Sequence, residues 1–394
     1  MNKSKFNFNL MAFPIGPVCN LNCEYCYYLN KTELYPASNN FQMKEELLEE
    51  YIKQYIEAHS GPVVNFVWQG GEPTLRTLDF FKKAVKFQKK YIPQGWKAEN
   101  LIQTNAVLID DQWAKFLKEN DFLVGASLDG PPELHNRYRK DKNGKGTHQR
   151  VLAGIEKLKE YEVKYNILAV VNDLNSKKPK EVYQFFKDIE ADFIQFIPLV
   201  EQDWKGNIIS RTVSSKQYGK FLIDVFNQWL NDLGDIYVQI FEEALSAWAG
   251  LGSSLCVFSK QCGTAPVMEY NGDIFSCDHF VEPEYKLGNI SEKSIMEMMN
   301  SKKQQKFAEA KKEKLNKKCL ECNYLFICNG GCPKNRIIDT GDEYKLNYLC
   351  EGYKLFFDYI DPFMEKLAQM VKQRKSPKLM RKEMQNLYQE KARK

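Results

Sequence analysis

Eleven cysteines carry most of the chemistry available to this 394-residue chain. Three fall within eight residues, as Cys19-x3-Cys23-x2-Cys26. Eight more follow as Cys256-x5-Cys262, Cys277, Cys319-x2-Cys322-x5-Cys328-x3-Cys332 and Cys350. Eleven is odd, so at least one thiol stands outside any intramolecular disulfide, and clustered spacing in a reducing compartment points to metal. Only four histidines accompany them, His59, His135, His148 and His279, so any metal centre must be thiolate-rich. Three thiolates on one loop can hold three irons of a cubane [4Fe–4S] cluster and leave the fourth iron open to a ligand. A structural zinc site wants a fourth Cys or His close by, and the nearest histidine is His59. The later eight can fill two fully ligated clusters, although Cys319-x2-Cys322 by itself also suits zinc.

These side chains need a frame. The first 235 residues alternate short apolar runs with longer amphipathic ones. Strands are expected over Phe6–Ile15, Val63–Trp68, Glu99–Gln103, Phe122–Ser127, Lys164–Val171 and Phe193–Leu199. Helices are expected over Lys44–His59, Leu78–Tyr91, Asp110–Glu119, Thr147–Tyr161 and Pro179–Ile189, with Asp110 as an N-cap and Pro179 at a helix start. This alternation implies an α/β fold with right-handed crossovers, best fitted by a partial (β/α)6 barrel. Chemistry then gathers in the loops at the C-terminal ends of the strands. The cysteine triplet follows the first strand there. Gln69-Gly70-Gly71-Glu72-Pro73 follows the second, Gln103-Thr104-Asn105 the third and Ser127-Leu128-Asp129-Gly130-Pro131 the fourth. Near residue 236 the alternation stops and cysteines become dense. The expected domains are 1–235, the barrel; 236–361, a cysteine-rich auxiliary-cluster domain; and 362–394, a basic helical tail.

Composition excludes several classes. With 43% hydrophobic and 27% charged residues the chain is neither disordered nor fibrous. No run approaches the roughly 18 to 20 apolar residues of a membrane helix. The N-terminus lacks a signal-peptide pattern, because Asn7 and Asn9 interrupt its apolar run. A cytoplasmic location without membrane contact is expected. The net charge is +5. Residues 365–394 hold ten Lys/Arg and three Asp/Glu, so the basic bias belongs to the tail and argues against nucleic-acid binding.

The triplet after a first strand, with the aromatic Tyr25 before its third cysteine, resembles the radical S-adenosylmethionine superfamily. Gly70-Gly71-Glu72-Pro73 is similar to that superfamily's motif for the methionine amine of the cosubstrate. Glycines let a backbone approach a ligand closely, and Glu72 can salt-bridge an ammonium or hold the loop. The later array, with Gly272 between Cys262 and Cys277, resembles the SPASM extension of enzymes that modify peptides and proteins. To about Asp361 the chain resembles the anaerobic sulfatase-maturating enzymes. Matching segments include Gln69–Leu75, Asp110–Leu117, Gly125–Pro131, His135-Asn136, Cys277-Asp278, Leu287–Ile290 and Gly330-Gly331-Cys332. The resemblance implies oxidation of an active-site Cys or Ser of a sulfatase to Cα-formylglycine, within a Cys/Ser-x-Pro/Ala-x-Arg segment. It implies three [4Fe–4S] clusters and S-adenosyl-L-methionine as cofactors. The implied partners are an unfolded or nascent sulfatase polypeptide and an electron donor such as flavodoxin or ferredoxin.

Residue roles are carried by the same resemblance. Cys19, Cys23 and Cys26 hold the open cluster. Cys256, Cys262, Cys277 and Cys332 hold the first auxiliary cluster, and Cys319, Cys322, Cys328 and Cys350 the second. Tyr25, Gly71, Ser127, Arg139 and Val200 match cosubstrate contacts, while Gln69 and Tyr28 match positions near the substrate peptide. Asp278 matches the base, and partial burial is expected to raise its pKa. Pro198-Leu199 and the Glu201–Gly206 loop, expected at the peptide cleft, depart from the family pattern. Two other readings compete. One is another SPASM maturase that forms thioethers or cyclises peptides; such enzymes often carry an N-terminal leader-binding domain, for which a motif beginning at residue 19 leaves no room. The other is a non-catalytic zinc or iron–sulfur binding protein, against which the open three-cysteine loop and Gly70–Pro73 argue.

Overall fold

A computed structural model describes residues 8–35 and 40–392. Phe6 and Asn7 of the first expected strand, and the last two residues of the tail, lie outside the described residues. The chain forms two compact units that interleave in sequence. The first comprises residues to 127 together with 136–165 and 262–310; the second comprises 128–135, 166–261 and 311 onward. The strands in chain order are β1 Met11–Phe13, β2 Val63–Trp68, β3 Lys97–Thr104, β4 Phe122–Ser127, β5 Tyr165–Val171, β6 Phe193–Pro198, β7 Tyr237–Val238, β8 Val267–Glu269, β9 Asp273–Phe275, β10 Lys286–Asn289, β11 Arg336–Ile338 and β12 Leu346–Asn347.

In the first unit β1 to β4 pair in parallel and in order. Residue types explain their depth. β2 buries Val64, Phe66 and Trp68 completely, and the Trp68 indole donates to Asn100 Oδ1 at 2.9 Å. Asn100 and Gln88 exchange amide hydrogen bonds of 2.9 Å, so the polar groups under this core are satisfied. Helix Asp111–Glu119 starts where expected, with the Asp110 carboxylate accepting from the Trp113 amide at 2.9 Å. The sequence pattern missed what flanks β1 on its other side. β8 pairs with it in parallel, Phe13 opposite Glu269, and continues into the antiparallel β9 and β10. These strands of three or four residues are too short to show a period.

In the second unit β5, β6 and β7 pair in parallel, and β11 pairs antiparallel with β12. Helix Ser215–Trp229, which the sequence reading did not place, packs on helix Cys350–Lys372. A Cβ added to Gly352 would stand 1.9 Å from the Ser215 carbonyl oxygen, so only glycine admits this approach. The tail is helical, as expected. It docks through Arg381, which donates to the Leu233 carbonyl at 2.8 Å and pairs with Asp235. The α/β class expected from the alternation holds, with helices between the parallel strands. Among the described residues no helix is long and apolar enough to cross a membrane.

Candidate active site

The cysteine triplet sits on the loop after β1, and two neighbouring segments stitch it down. The Asn22 and Glu24 amides donate to the Lys140 and Tyr138 carbonyls at 2.8 and 3.0 Å. From the β2 side, the Gly71 amide donates to the Gly16 carbonyl at 2.8 Å and the Glu72 amide to the Val18 carbonyl at 2.9 Å. Here glycine is obligatory: a Cβ on Gly71 would lie 2.0 Å from the Val18 carbonyl oxygen. Glu72 is 1% exposed. Its Oε1 accepts from the Thr74 and Thr104 hydroxyls, both at 2.6 Å, and its Oε2 from the Asn105 amide at 2.8 Å. Of the two roles open to Glu72 in the sequence, the geometry gives loop holding, since its acceptors are filled from within. Asn105 in turn reaches Asn20 at 2.7 Å and approaches Cys19 Sγ at 3.7 Å. Burial, then the Glu72 charge, pushes the Cys19 thiol up to about 12. A bound cation offsets that penalty on the thiolate, so these donors fit a metal cluster.

Arg139 is buried. It is 8% exposed, with its guanidinium 5.5 Å from the Tyr25 ring centroid. Its neighbours Arg137 and Lys140 both pair with Glu24 at the surface, and Asp141 pairs with Arg150. Tyr25 is itself buried against Tyr138. Ser127 ends β4, where its hydroxyl accepts from Gln103 Nε2 at 3.0 Å. The Gln69 amide donates to the Ala12 carbonyl at 3.0 Å, which fixes its backbone at the end of β2. Val200 belongs to the second unit, just past β6, and is buried.

Asp278 opens a short turn after Cys277, also in the first unit. Its Oδ2 accepts from the Tyr27 hydroxyl at 3.1 Å, and its Oδ1 lies 3.3 Å from Cys277 Sγ. No motif or spacing in the sequence marks Tyr27. The structure places it directly after Cys26, 39% exposed, with the His279 ring 5.1 Å from its own. The expectation of a raised Asp278 pKa fails. Burial does raise it, but the His279 charge and hydrogen bonds from Cys277, Tyr27 and the His279 amide outweigh burial and hold it below the usual carboxylate range.

Tyr28 is buried in a small core with Phe13, Val267, Phe275 and Val281, against which Cys26 packs. Its hydroxyl donates to Glu269 Oε1 in a short hydrogen bond. Glu269, a second residue missed in the sequence, is fully buried on β8, with Oε2 unpartnered. Burial first, then Asp273, pushes its carboxyl up to about 7, against the Tyr28 hydrogen bond and the Lys31 charge. A carboxyl raised in the folded state favours the protonated protein. Its contribution is full below the ordinary value of 4.5 and is lost as pH rises through about 7. That loss amounts to roughly 3 kcal/mol. Melting curves at about pH 5 and about pH 8 should therefore differ less in Glu269→Gln than in the wild type. An unchanged difference would show that Glu269 titrates normally.

The remaining cysteines divide between the units. Cys262 and Cys277 belong to the first, Cys256 and Cys332 to the second. Cys319, Cys322, Cys328 and Cys350 line one cavity of the second unit, with Tyr324, Tyr353 and Phe357. Burial, then their mutual crowding, pushes the Cys328 thiol up to about 12 and the Cys350 thiol up to about 11. Cys350 is the first residue of its helix, where the backbone favours a thiolate. The four thiols surround a volume. Among the described residues no group of three or more His, Cys, Asp or Glu side chains closes on a single-ion position. The eleven cysteines are all free of disulfides.

Three comparisons bear on these features. Residues 13–186 match the radical SAM superfamily and residues 260–323 the SPASM iron–sulfur cluster-binding domain. The chain is 45% identical over 385 residues to a serine-type anaerobic sulfatase-maturating enzyme of Bacteroides thetaiotaomicron, covering 93% of each. It is 35% identical to a cysteine-type enzyme of Clostridium perfringens, covering 92% of this chain and 99% of the relative. Among solved structures it matches native anSMEcpe with bound AdoMet and the Cp18Cys peptide, at 33% identity and a TM-score of 0.85, over 93% of this chain and 100% of that one.

Proposed function

The chain belongs to the anaerobic sulfatase-maturating enzymes, radical S-adenosylmethionine proteins with a SPASM iron–sulfur domain, and from that premise we propose that it oxidises a Cys or Ser in a Cys/Ser-x-Pro/Ala-x-Arg segment of an unfolded or nascent sulfatase to Cα-formylglycine. One observation carries the residue-level reading. A single compact unit holds the Cys19–Cys26 loop, the Gly70–Glu72 loop and Asp278, and Tyr27, the residue after Cys26, donates its hydroxyl to Asp278.

Cys19, Cys23 and Cys26 supply three thiolates to a [4Fe–4S] cluster, and the two later sets of four supply two more clusters. With S-adenosylmethionine the open cluster supplies a one-electron abstraction of hydrogen from the target Cβ. The protein's residues do the rest. Gly71 presents backbone at close range to the cosubstrate, and Glu72 holds that loop in place. Arg139 offers its charge to the methionine carboxylate. Tyr25, Ser127 and Val200 complete the cosubstrate contacts, and Gln69 and Tyr28 back the peptide. Asp278 takes the thiol or hydroxyl proton. The auxiliary clusters held by the later cysteines would carry off the second electron, an electron donor such as flavodoxin or ferredoxin would supply the first, and with a Cys target water would replace the thioaldehyde sulfur, which leaves as sulfide. Residues 1–235 form the radical domain, 236–361 the auxiliary-cluster domain and 362–394 the tail. Eleven uncrosslinked thiols suit the reducing cytoplasm.

Anaerobic incubation of reconstituted protein with S-adenosylmethionine, a reductant and peptides of both types tests this. Mass spectrometry should show a loss of about 18 Da from the Cys peptide or about 2 Da from the Ser peptide. The higher identity to a serine-type relative supports faster turnover of the Ser peptide. Peptides returned unchanged while S-adenosylmethionine is cleaved would rule out this substrate class.

A further inference from the structure

We infer that Tyr27 is the positioning residue for the catalytic carboxylate: its hydroxyl fixes Asp278 Oδ2, so that Oδ1 is the oxygen presented to the substrate proton. This rests on Asp278 being the base. The two oxygens are in different surroundings. Oδ2 receives the Tyr27 hydroxyl at 3.1 Å. Oδ1 faces Cys277 Sγ at 3.3 Å. A thiol can donate there, whereas a thiolate bound to iron has no proton to give. Cluster ligation therefore removes a donor from Oδ1 and leaves the Tyr27 bond on Oδ2 intact.

Tyr27 is suited to the task. Its backbone is set by Cys26, one residue earlier in the cluster loop. Its ring lies 6.0 Å from that of the buried Tyr28 and 5.1 Å from that of His279. The phenol is thus held on both sides. A carboxylate anchored at Oδ2 by Tyr27, with the His279 amide as a further donor, keeps one orientation, and that geometry is worth more than basicity when the proton must leave in step with oxidation. The proton passes from the substrate S–H or O–H to Oδ1 as a carboxylic acid, which re-ionises to solvent after product release.

Tyr27→Phe removes only the hydroxyl and keeps the ring. The readout is formylglycine formed per 5′-deoxyadenosine released by the reconstituted holoenzyme. Only cluster-loaded, cosubstrate-cleaving protein enters that ratio, so partial folding does not distort it. The ratio should fall by about tenfold or more, through kcat, with the peptide KM unchanged. A wild-type ratio in Tyr27→Phe beside an inactive Asp278→Asn would overturn the role of Tyr27 and leave the base assignment standing. Turnover in Asp278→Asn overturns the base assignment itself. A raised KM with unchanged kcat would make Tyr27 a peptide contact and likewise overturn its positioning role.

Discussion

Asp278→Asn should abolish formylglycine formation while S-adenosylmethionine is still cleaved. Asparagine keeps the shape of aspartate, and its carbonyl oxygen can still accept the Tyr27 hydroxyl now 3.1 Å from Oδ2. What it loses is the capacity to take a proton. General-base contributions run to about 10²–10⁴ in rate, so product should fall at least about 100-fold. 5′-Deoxyadenosine should continue to form, because the cysteine loop and the Gly70–Glu72 loop are untouched. The depressed pKa of Asp278 refines the expected pH profile. The His279 charge and the hydrogen bonds from Tyr27 and the His279 amide do not depend on the Cys277 thiol and favour the carboxylate, so the acid limb of kcat should lie no higher than the ordinary carboxylate range. So weak a base suffices because a substrate that has lost hydrogen from Cβ holds its S–H or O–H proton far less tightly than the intact side chain. Full turnover by Asp278→Asn, measured as the mass change of the peptide, would remove this residue from the mechanism.

Gly71→Ala should be nearly as damaging, at the other end of the reaction. The added methyl meets the Val18 carbonyl oxygen at 2.0 Å and the Val18 carbonyl carbon at 2.5 Å. Both atoms are backbone, one residue before Cys19, and no flexible side chain can move aside. Overpacking of this kind costs about 1–3 kcal/mol, and relief requires the cysteine loop to shift. A displacement of about 1 Å at a reacting centre can lower rates by about 100-fold. Cleavage of S-adenosylmethionine should fall by that order, with the two later cysteine sets still loaded. Iron analysis separates the causes: about 12 irons per chain in the wild type, and no fewer than about eight in the variant if only the first loop is disturbed. Wild-type cleavage would show that the loop yields without cost.

The sequence was most legible where chemistry is local. The cysteine spacing, the Asp110 N-cap and the apolar runs of β2 and β4 each lie within a window of ten residues, and each was placed correctly. The site became opaque where partners are distant. Tyr27 and Asp278 are 251 residues apart, and Tyr28 and Glu269 are 241 apart. No periodicity joins such pairs. A faint signal for Glu269 existed: a carboxylate ending the apolar run Val267-Met268 in a strand too short to be recognised. Glu72 shows a subtler limit. Its presence at the loop was readable, yet whether it faced a ligand or its own backbone depended on Thr104 and Asn105, contributed by the next strand. The lowered pKa of Asp278 is hidden in the sequence for the same reason, since its burial is foreseeable and the donors around it are not.

The pairing of β1 with β8 sets a clock on biosynthesis. The cysteine loop leaves the ribosome early, whereas the wall that carries Glu269 arrives 241 residues after Tyr28. At about 5–20 residues per second that interval is roughly 10 to 50 seconds. Through it one edge of β1 stands without the strand that pairs with it. The first unit can close only once residues to about 310 have been made.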